Sequence, residues 1–152
     1  MLNFDTKIYL VVGASFQVLN ELRNGLLEPI YQEALKIEFD RWKIPNEREV
    51  NLPIFYRGIE LSKSYRVDFL CFNDVIVELK STETLLPEHR LQLFNYMRIT
   101  RIKHGILLNF GTKHLQSEYY ELDEESNECW TYKFNVERVP IEFQHYKPNQ
   151  SI

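Results

Sequence analysis

Cysteine, glycine and methionine are all scarce in this chain: two Cys, five Gly and two Met in 152 residues. Two thiols cannot staple a small disulfide-built domain, and Cys71 sits inside a strand-like run, so both read as reduced thiols of a cytoplasmic protein. Long apolar runs are also missing. None approaches the ~20 residues of a bilayer-spanning helix, so no membrane partner is expected. Met1 to Leu10 carries Asp5 and Lys7 and lacks the apolar core of a secretory signal. There is no excess of positive charge. A net charge of −4 argues against a protein that coats nucleic acid non-specifically. No internal repeat or low-complexity segment is visible.

What is present is an ordinary globular composition, 44% hydrophobic and 26% charged, in a chain long enough for one domain with a real core. The charge is distributed unevenly. Residues 1–110 hold 14 Lys+Arg against 14 Asp+Glu, while 111–152 hold 4 against 8 and so carry the whole excess. The C-terminal part is acidic and the remainder is neutral.

Periodicity divides the chain into helices and strands. Ile8, Val11, Val12, Phe16, Leu19 and Leu22 form a helical stripe over 8–22, interrupted by Asn24-Gly25. A second helix is predicted from about Leu26 to Trp42, with Leu27, Ile30, Tyr31, Ala34 and Leu35 recurring and Pro29 in its first turn. The period then changes to that of strands. Val50 to Tyr56 and Ile59 to Leu61 flank Arg57-Gly58 and count as one interrupted strand. Strands around Asp68 and over Val75 to Lys80 follow. Pro87 opens a helix to about Thr100 with an apolar face of Leu91, Phe94 and Met97, and Gly105 to Phe110 reads as a buried strand. Glu118 to Leu122 and Cys129 to Phe134 flank the turn formers of 123–127, a hairpin, and the stretch from Pro140 reads as a tail.

The chemistry concentrates where two strands meet. Asp68 lies in Tyr-Arg-Val-Asp-Phe-Leu-Cys-Phe, and Glu78 and Lys80 lie in Val-Ile-Val-Glu-Leu-Lys. Charges inside such strands are costly unless paired, solvated or metal-bound. Glu78 and Lys80, two apart, share a face; Asp68 shares one with Arg66 and Leu70, leaving Val67, Phe69 and Cys71 on the other. For Asp68 and Glu78 to face each other, the connecting loop must be odd, as in Phe72-Asn73-Asp74, or a strand must carry a bulge. The odd loop or the bulge is predicted. Two carboxylates with a lysine suit a hard divalent cation and phosphodiester chemistry, while a surface ladder of Asp68 or Glu78 with Lys80 and Arg66 satisfies the same spacing.

The ordered set Gly25-Leu-Leu-Glu28-Pro-Ile-Tyr31, Arg66-Val-Asp68, Val77-Glu78-Leu-Lys80, His89-Arg-Leu-Gln92 and Gly105-Ile-Leu-Leu-Asn-Phe110 resembles the G-x-x-E-x-x-Y family, which is similar to the PD-(D/E)XK nuclease superfamily. The resemblance covers about residues 8–111. It implies an α/β, restriction-endonuclease-like αβββαβ core with a mixed sheet flanked by helices, here followed by a C-terminal β-hairpin. It also implies a site. Asp68 and Glu78 would hold Mg²⁺ or Mn²⁺, with Glu28 as a further ligand or general base. Lys80 would orient water and stabilise phosphate charge, and Gln92 would position metal, water or substrate. Tyr31, three residues from Glu28, is either a supporting hydrogen bonder or core. His89, on the face of Gln92, and Arg98, Arg101 and Lys103, in the only sustained basic stretch, are candidate nucleic-acid contacts.

The expectation is thus a single domain over 1–152, with a nuclease-like core at 8–111, a hairpin extension at 112–139 and a tail at 140–152. Its expected function is metal-dependent hydrolysis of phosphodiester bonds in DNA. The rival is a catalytically inactive module of the same fold that binds nucleic acid or protein. A scaffold is the third class: the aromatic hairpin near Tyr119 and Trp130 would suit a homo-oligomer.

Overall fold

Asn3 starts the first helix. Its side-chain oxygen accepts the Thr6 amide at 2.8 Å, so α1 spans Phe4–Leu22 and begins ahead of the apolar stripe. The computed structural model describes residues 2–146. After α1 come α2 (Glu28–Arg41), β1 (Asn46–Tyr56), β2 (Ile59–Cys71), β3 (Val75–Lys80), α3 (Pro87–Thr100), β4 (His104–Asn109), β5 (Gln116–Asp123) and β6 (Glu128–Thr131). A 3-10 turn at Val136–Arg138 and a short α4 (Ile141–Gln144) complete the described elements.

The six strands form one mixed sheet in chain order. β3 and β4 run parallel, linked by α3, and every other neighbouring pair is antiparallel. Two apolar clusters sandwich the sheet. On one side Ile8 and Val11 of α1 and Leu35 and Phe39 of α2 pack on Phe69, Val77, Leu79 and Leu108. On the other, Leu93 and Met97 of α3 pack on Ile76, Leu107 and Leu122. Burying each such side chain is worth about 1.5–3 kcal/mol, so the central strands, apolar on both faces, are the rigid part of the molecule. The expected α/β architecture with a mixed sheet between helices is the one observed.

Four details depart from the sequence reading. Val50 to Leu61 is not one interrupted strand: the Arg57-Gly58 turn, with φ of 52° and 77°, folds β1 back on β2, and the ladder runs from Tyr56↔Ile59 to Asn46↔Cys71. β2 is therefore one continuous strand through Ser62-Lys63-Ser64, whose polar side chains are exposed because this end of the ribbon projects beyond β3. The alternation of faces also switches at Asp68. Phe69 and Cys71 join the α1/α2 cluster, but Val67 joins the α3 cluster with Leu52 and, at its margin, Val50. Glu49, at φ 54°, lies in the left-handed region beside this switch.

The C-terminal hairpin is part of the sheet, because β5 pairs along the whole of β4. Within it Tyr119 packs on Phe134, leaving Trp130 exposed. The expected tail is partly structured: Phe143 and Tyr146 pack against the α1/α2 cluster, and the Tyr146 ring lies tilted against Trp42 with centroids 4.9 Å apart. The rest of that segment, 147–152, lies outside the described residues. Finally, α3 buries Leu93, Tyr96 and Met97, while Leu91 is exposed, as are Phe16 of α1 and Ile30 of α2.

Candidate active site

The turn between β2 and β3 sets the geometry of everything that follows. Its three residues, Phe72-Asn73-Asp74, connect the pair Cys71↔Val75, and Phe72 and Asn73 take left-handed φ of 56° and 63°. This is the odd loop that the spacing required. Lys7 of α1, itself buried, grips the turn through Asp74 at 2.8 Å. The register Phe69↔Val77 has index sum 146, and so does 68 with 78, so the register brings Asp68 opposite Glu78.

At that position the backbone ladder ends and the carboxylates replace it. The Asp68 amide donates to Glu78 Oε1 at 3.0 Å, and the Leu79 amide donates to Asp68 Oδ2 at 2.8 Å. β2 and β3 therefore separate into a fork at Asp68 and Glu78. Glu78 is only 5% exposed. Burial, with the neighbouring Asp68 carboxylate as the next cause, pushes its pKa up to about 9. Two carboxylates this close cannot both hold full charge unless a cation joins them.

Asp68 is held from the other side by a residue that the motifs did not single out. Gln32 of α2 is buried, donates through Nε2 to Asp68 Oδ1 at 2.9 Å, and accepts from Arg48 Nε at 2.8 Å. Its signal in the sequence was its spacing, four residues after Glu28 and so on the same helical face. Glu28 is the first residue of α2, and burial followed by the Asp68 charge raises its pKa while Lys80 lowers it. That ordering places Glu28 within the field of both groups.

Lys80 Nζ donates to Gln92 Oε1 at 3.1 Å, and Gln92 Nε2 donates to the Tyr96 hydroxyl at 2.9 Å. The backbone beyond Lys80 is clamped as well. Asn109, fully buried in β4, accepts the Thr82 and Gly111 amides through Oδ1 at 3.0 Å each. Its Nδ2 donates to the Thr82 carbonyl at 3.0 Å and to Gln116 Oε1 at 2.8 Å. Gly111 belongs to the same clamp, since a Cβ there would lie 2.0 Å from the Thr82 carbonyl oxygen. The signal for Asn109 was a lone amide in the otherwise apolar run Gly105 to Phe110.

The loop before α2 meets this end of the sheet too. Ser81 Oγ donates to the Leu26 carbonyl at 2.5 Å, and the Gly25 amide donates to the Phe110 carbonyl at 3.3 Å. Gly25 has φ 93°, a conformation that L side chains rarely adopt. Tyr31 is core, stacked on Phe110 at 4.8 Å, and its hydroxyl donates to the Arg23 carbonyl and accepts the Leu26 amide. It braces the loop that delivers Glu28.

The structure thus brings Asp68, Glu78, Lys80, Gln92 and Glu28 to one end of the central strands. The remaining candidates make other contacts or lie further off. His89 Nδ1 accepts the Leu86 amide at 3.0 Å and caps α3. Arg98 is exposed near the C-terminal end of α3. Arg101 bonds Asn127 and the Glu124 carbonyl in the β5–β6 turn, and Lys103 lies 3.8 Å from Glu121. β4 begins at the level of Val75 and ends at that of Lys80, so Lys103, which precedes β4, sits at the opposite end of the strands.

The donor set suits a divalent cation as a pair, not a cage. Among the described residues no three His, Cys, Asp or Glu side chains are grouped to hold a metal ion. Mg²⁺ characteristically keeps several waters and takes one or two protein carboxylates. Asp68 and Glu78 supply two, with lone pairs left over after the three hydrogen bonds described. Burial is the main cause that raises the Glu78 pKa, and the Asp68 charge that adds to it is what a cation would relieve. A recess of about 640 Å³ along Leu86, Pro87, Leu91 and Phe94 is lined by neither Asp68 nor Glu78.

A model of the PD-(D/E)XK nuclease superfamily matches residues 5–122, and the chain belongs to that superfamily. The match extends from α1 through β5, so the first strand of the hairpin lies within it. Nucleases of this superfamily generally use divalent metals. No curated protein matches the chain. A solved structure described as "Crystal structure of SSO0001" is similar at 21% identity with a TM-score of 0.49, over 65% of this chain and 53% of that one. The chain therefore spans about half the length of that protein. No helix among the described residues is long and apolar enough to cross a membrane.

Proposed function

We propose that this chain hydrolyses phosphodiester bonds in DNA with the help of Mg²⁺ or Mn²⁺ held by Asp68 and Glu78. The observation that supports it is the fork, where the pairing register sets two carboxylates opposite each other with Lys80 two residues beyond. The cation would supply positive charge to the phosphate oxygens. Gln32 fixes the orientation of Asp68, so the donor pair is preorganised. Lys80, tethered by Gln92, presents an ammonium that orients the attacking water and stabilises charge developing on the phosphate. Glu28, its pKa raised by burial and by the Asp68 charge, serves as the base that takes the proton from that water.

The test is a calorimetric titration of Mg²⁺ and Mn²⁺ into wild type, Asp68→Ala and Glu78→Ala, with DNA cleavage assayed on the same samples. Wild type is expected to bind metal and cut, and both variants to lose both properties. If wild type binds no metal, the chain is instead an inactive module of the same fold.

A further inference from the structure

We propose that the groove between α3 and Tyr65 of the β1–β2 ribbon is a subsite for one unpaired nucleobase of the DNA strand whose phosphate occupies the carboxylate fork. This rests on the proposed nuclease reading for the position of the phosphate. The groove measures about 250 Å³ and is lined by Tyr65, Glu88, Leu91, Gln92, Asn95 and Tyr96. That is below the ~300–1,000 Å³ of sites for drug-sized molecules and suits one flat ring system.

Its walls come from two elements. Residues 88, 91–92 and 95–96 recur at three- to four-residue spacing, so they form one strip of α3, with Leu91 53% exposed. The facing wall is Tyr65, half-buried and seated against Tyr96 with ring centroids 4.4 Å apart. An aromatic wall opposite an exposed leucine is the arrangement on which a base stacks without regard to its identity.

Two further observations select a base over other ligands. Glu88 is the only charged residue in the lining, so the groove repels phosphate and offers a neutral ring system amides and a carboxylate to hydrogen-bond. Gln92 also belongs both to the groove and to the catalytic end, because its Oε1 accepts Lys80 while its Nε2 holds Tyr96. A phosphate at Lys80 and a base in the groove therefore belong to the same or an adjacent nucleotide. A base inside a duplex cannot enter such a groove without leaving its stack, so the substrate is single-stranded or locally opened DNA.

The experiment is fluorescence anisotropy on the full chain in EDTA, where cleavage cannot proceed, using a labelled dT 12-mer, an abasic strand of equal length and the dT 12-mer paired with its complement. The dT 12-mer is expected to bind about fivefold or more tighter than either of the others. Tyr65→Leu and the surface variant Leu91→Ala should each remove most of that preference, with circular dichroism melting confirming the fold. Leu91→Ala keeps the test valid if Tyr65→Leu does not fold. Equal binding of dT and abasic strands, or no loss of preference in either folded variant, overturns the subsite. Cleavage with Mn²⁺, measured separately, distinguishes the two readings. Base-dependent binding without cleavage leaves the subsite and removes the nuclease, and cleavage with base-indifferent binding does the reverse.

Discussion

Replacing Glu78 with glutamine is expected to stabilise the metal-free protein at neutral pH while abolishing metal binding. The Glu78 pKa rises from an ordinary 4.5 to about 9 through burial and the Asp68 charge. Between those values the folded state holds a proton that the unfolded chain has released. Stability therefore falls as pH rises through this window, is fully present below about 4.5, and is lost by about 9. At pH 7 the window has been crossed for ~2.5 pH units, and at ~1.4 kcal/mol per unit the cost is about 3–4 kcal/mol. Glutamine imitates the protonated acid. Its oxygen can accept the Asp68 amide as Glu78 Oε1 does, and its amide can donate toward the Asp68 carboxylate. It carries no proton linkage. Denaturant unfolding in EDTA from pH 5 to 9 should show wild type losing stability relative to Glu78→Gln, with the melting temperature of the variant higher by about 10 °C at pH 7. Added Mg²⁺ should raise wild type and leave the variant unmoved. If the two unfolding curves run parallel across that pH range, Glu78 holds no extra proton in the folded protein and the reasoning fails.

Three other perturbations separate the parts of the site. Lys80→Ala should keep metal affinity in calorimetry and lower the DNA cleavage rate by about 10²–10³, the usual loss for one charge-stabilising donor. Gln32→Ala removes a buried partner of Asp68 and Arg48; urea unfolding should show a loss of about 1–3 kcal/mol, and calorimetry a roughly tenfold weaker metal. Asn109→Ala leaves the Thr82 amide and carbonyl and the Gly111 amide without their partner, so urea unfolding should report a loss of about 3 kcal/mol.

Much of this site could be read from the sequence because it obeys period-two geometry. Glu78 and Lys80 share a face by spacing, and the need for an odd loop followed from requiring Asp68 to face Glu78. What was not legible is what depends on backbone irregularity. The reversal of sides at Asp68 places Val67 and Phe69 in different clusters, and period-two reasoning cannot anticipate it, because Glu49 must adopt a left-handed φ on the neighbouring strand. Arg57-Gly58 was recognised as a turn, but only the exposed, polar run from Ser62 to Ser64 made β2 look broken. Helical periodicity likewise gave α3 a face through Leu91, whereas tertiary packing buries the face through Leu93.

The basic stretch shows why composition along the chain is a poor guide to a site. Arg101 and Lys103 lie close in sequence to Gln92, but α3 runs back against the direction of β3 and β4, which it connects, and delivers them to the far end of the sheet. There Lys103 lies near Glu121, and Arg101 bonds Asn127 and the backbone carbonyl of Glu124 in the β5–β6 turn. The end that carries the carboxylates is left with Lys80 as the cation acting on Glu78 and with a groove whose only charged residue is Glu88. On the proposed reading, affinity for a DNA strand comes from the divalent cation and from stacking in that groove, so salt should weaken binding less steeply than in proteins that neutralise many phosphates.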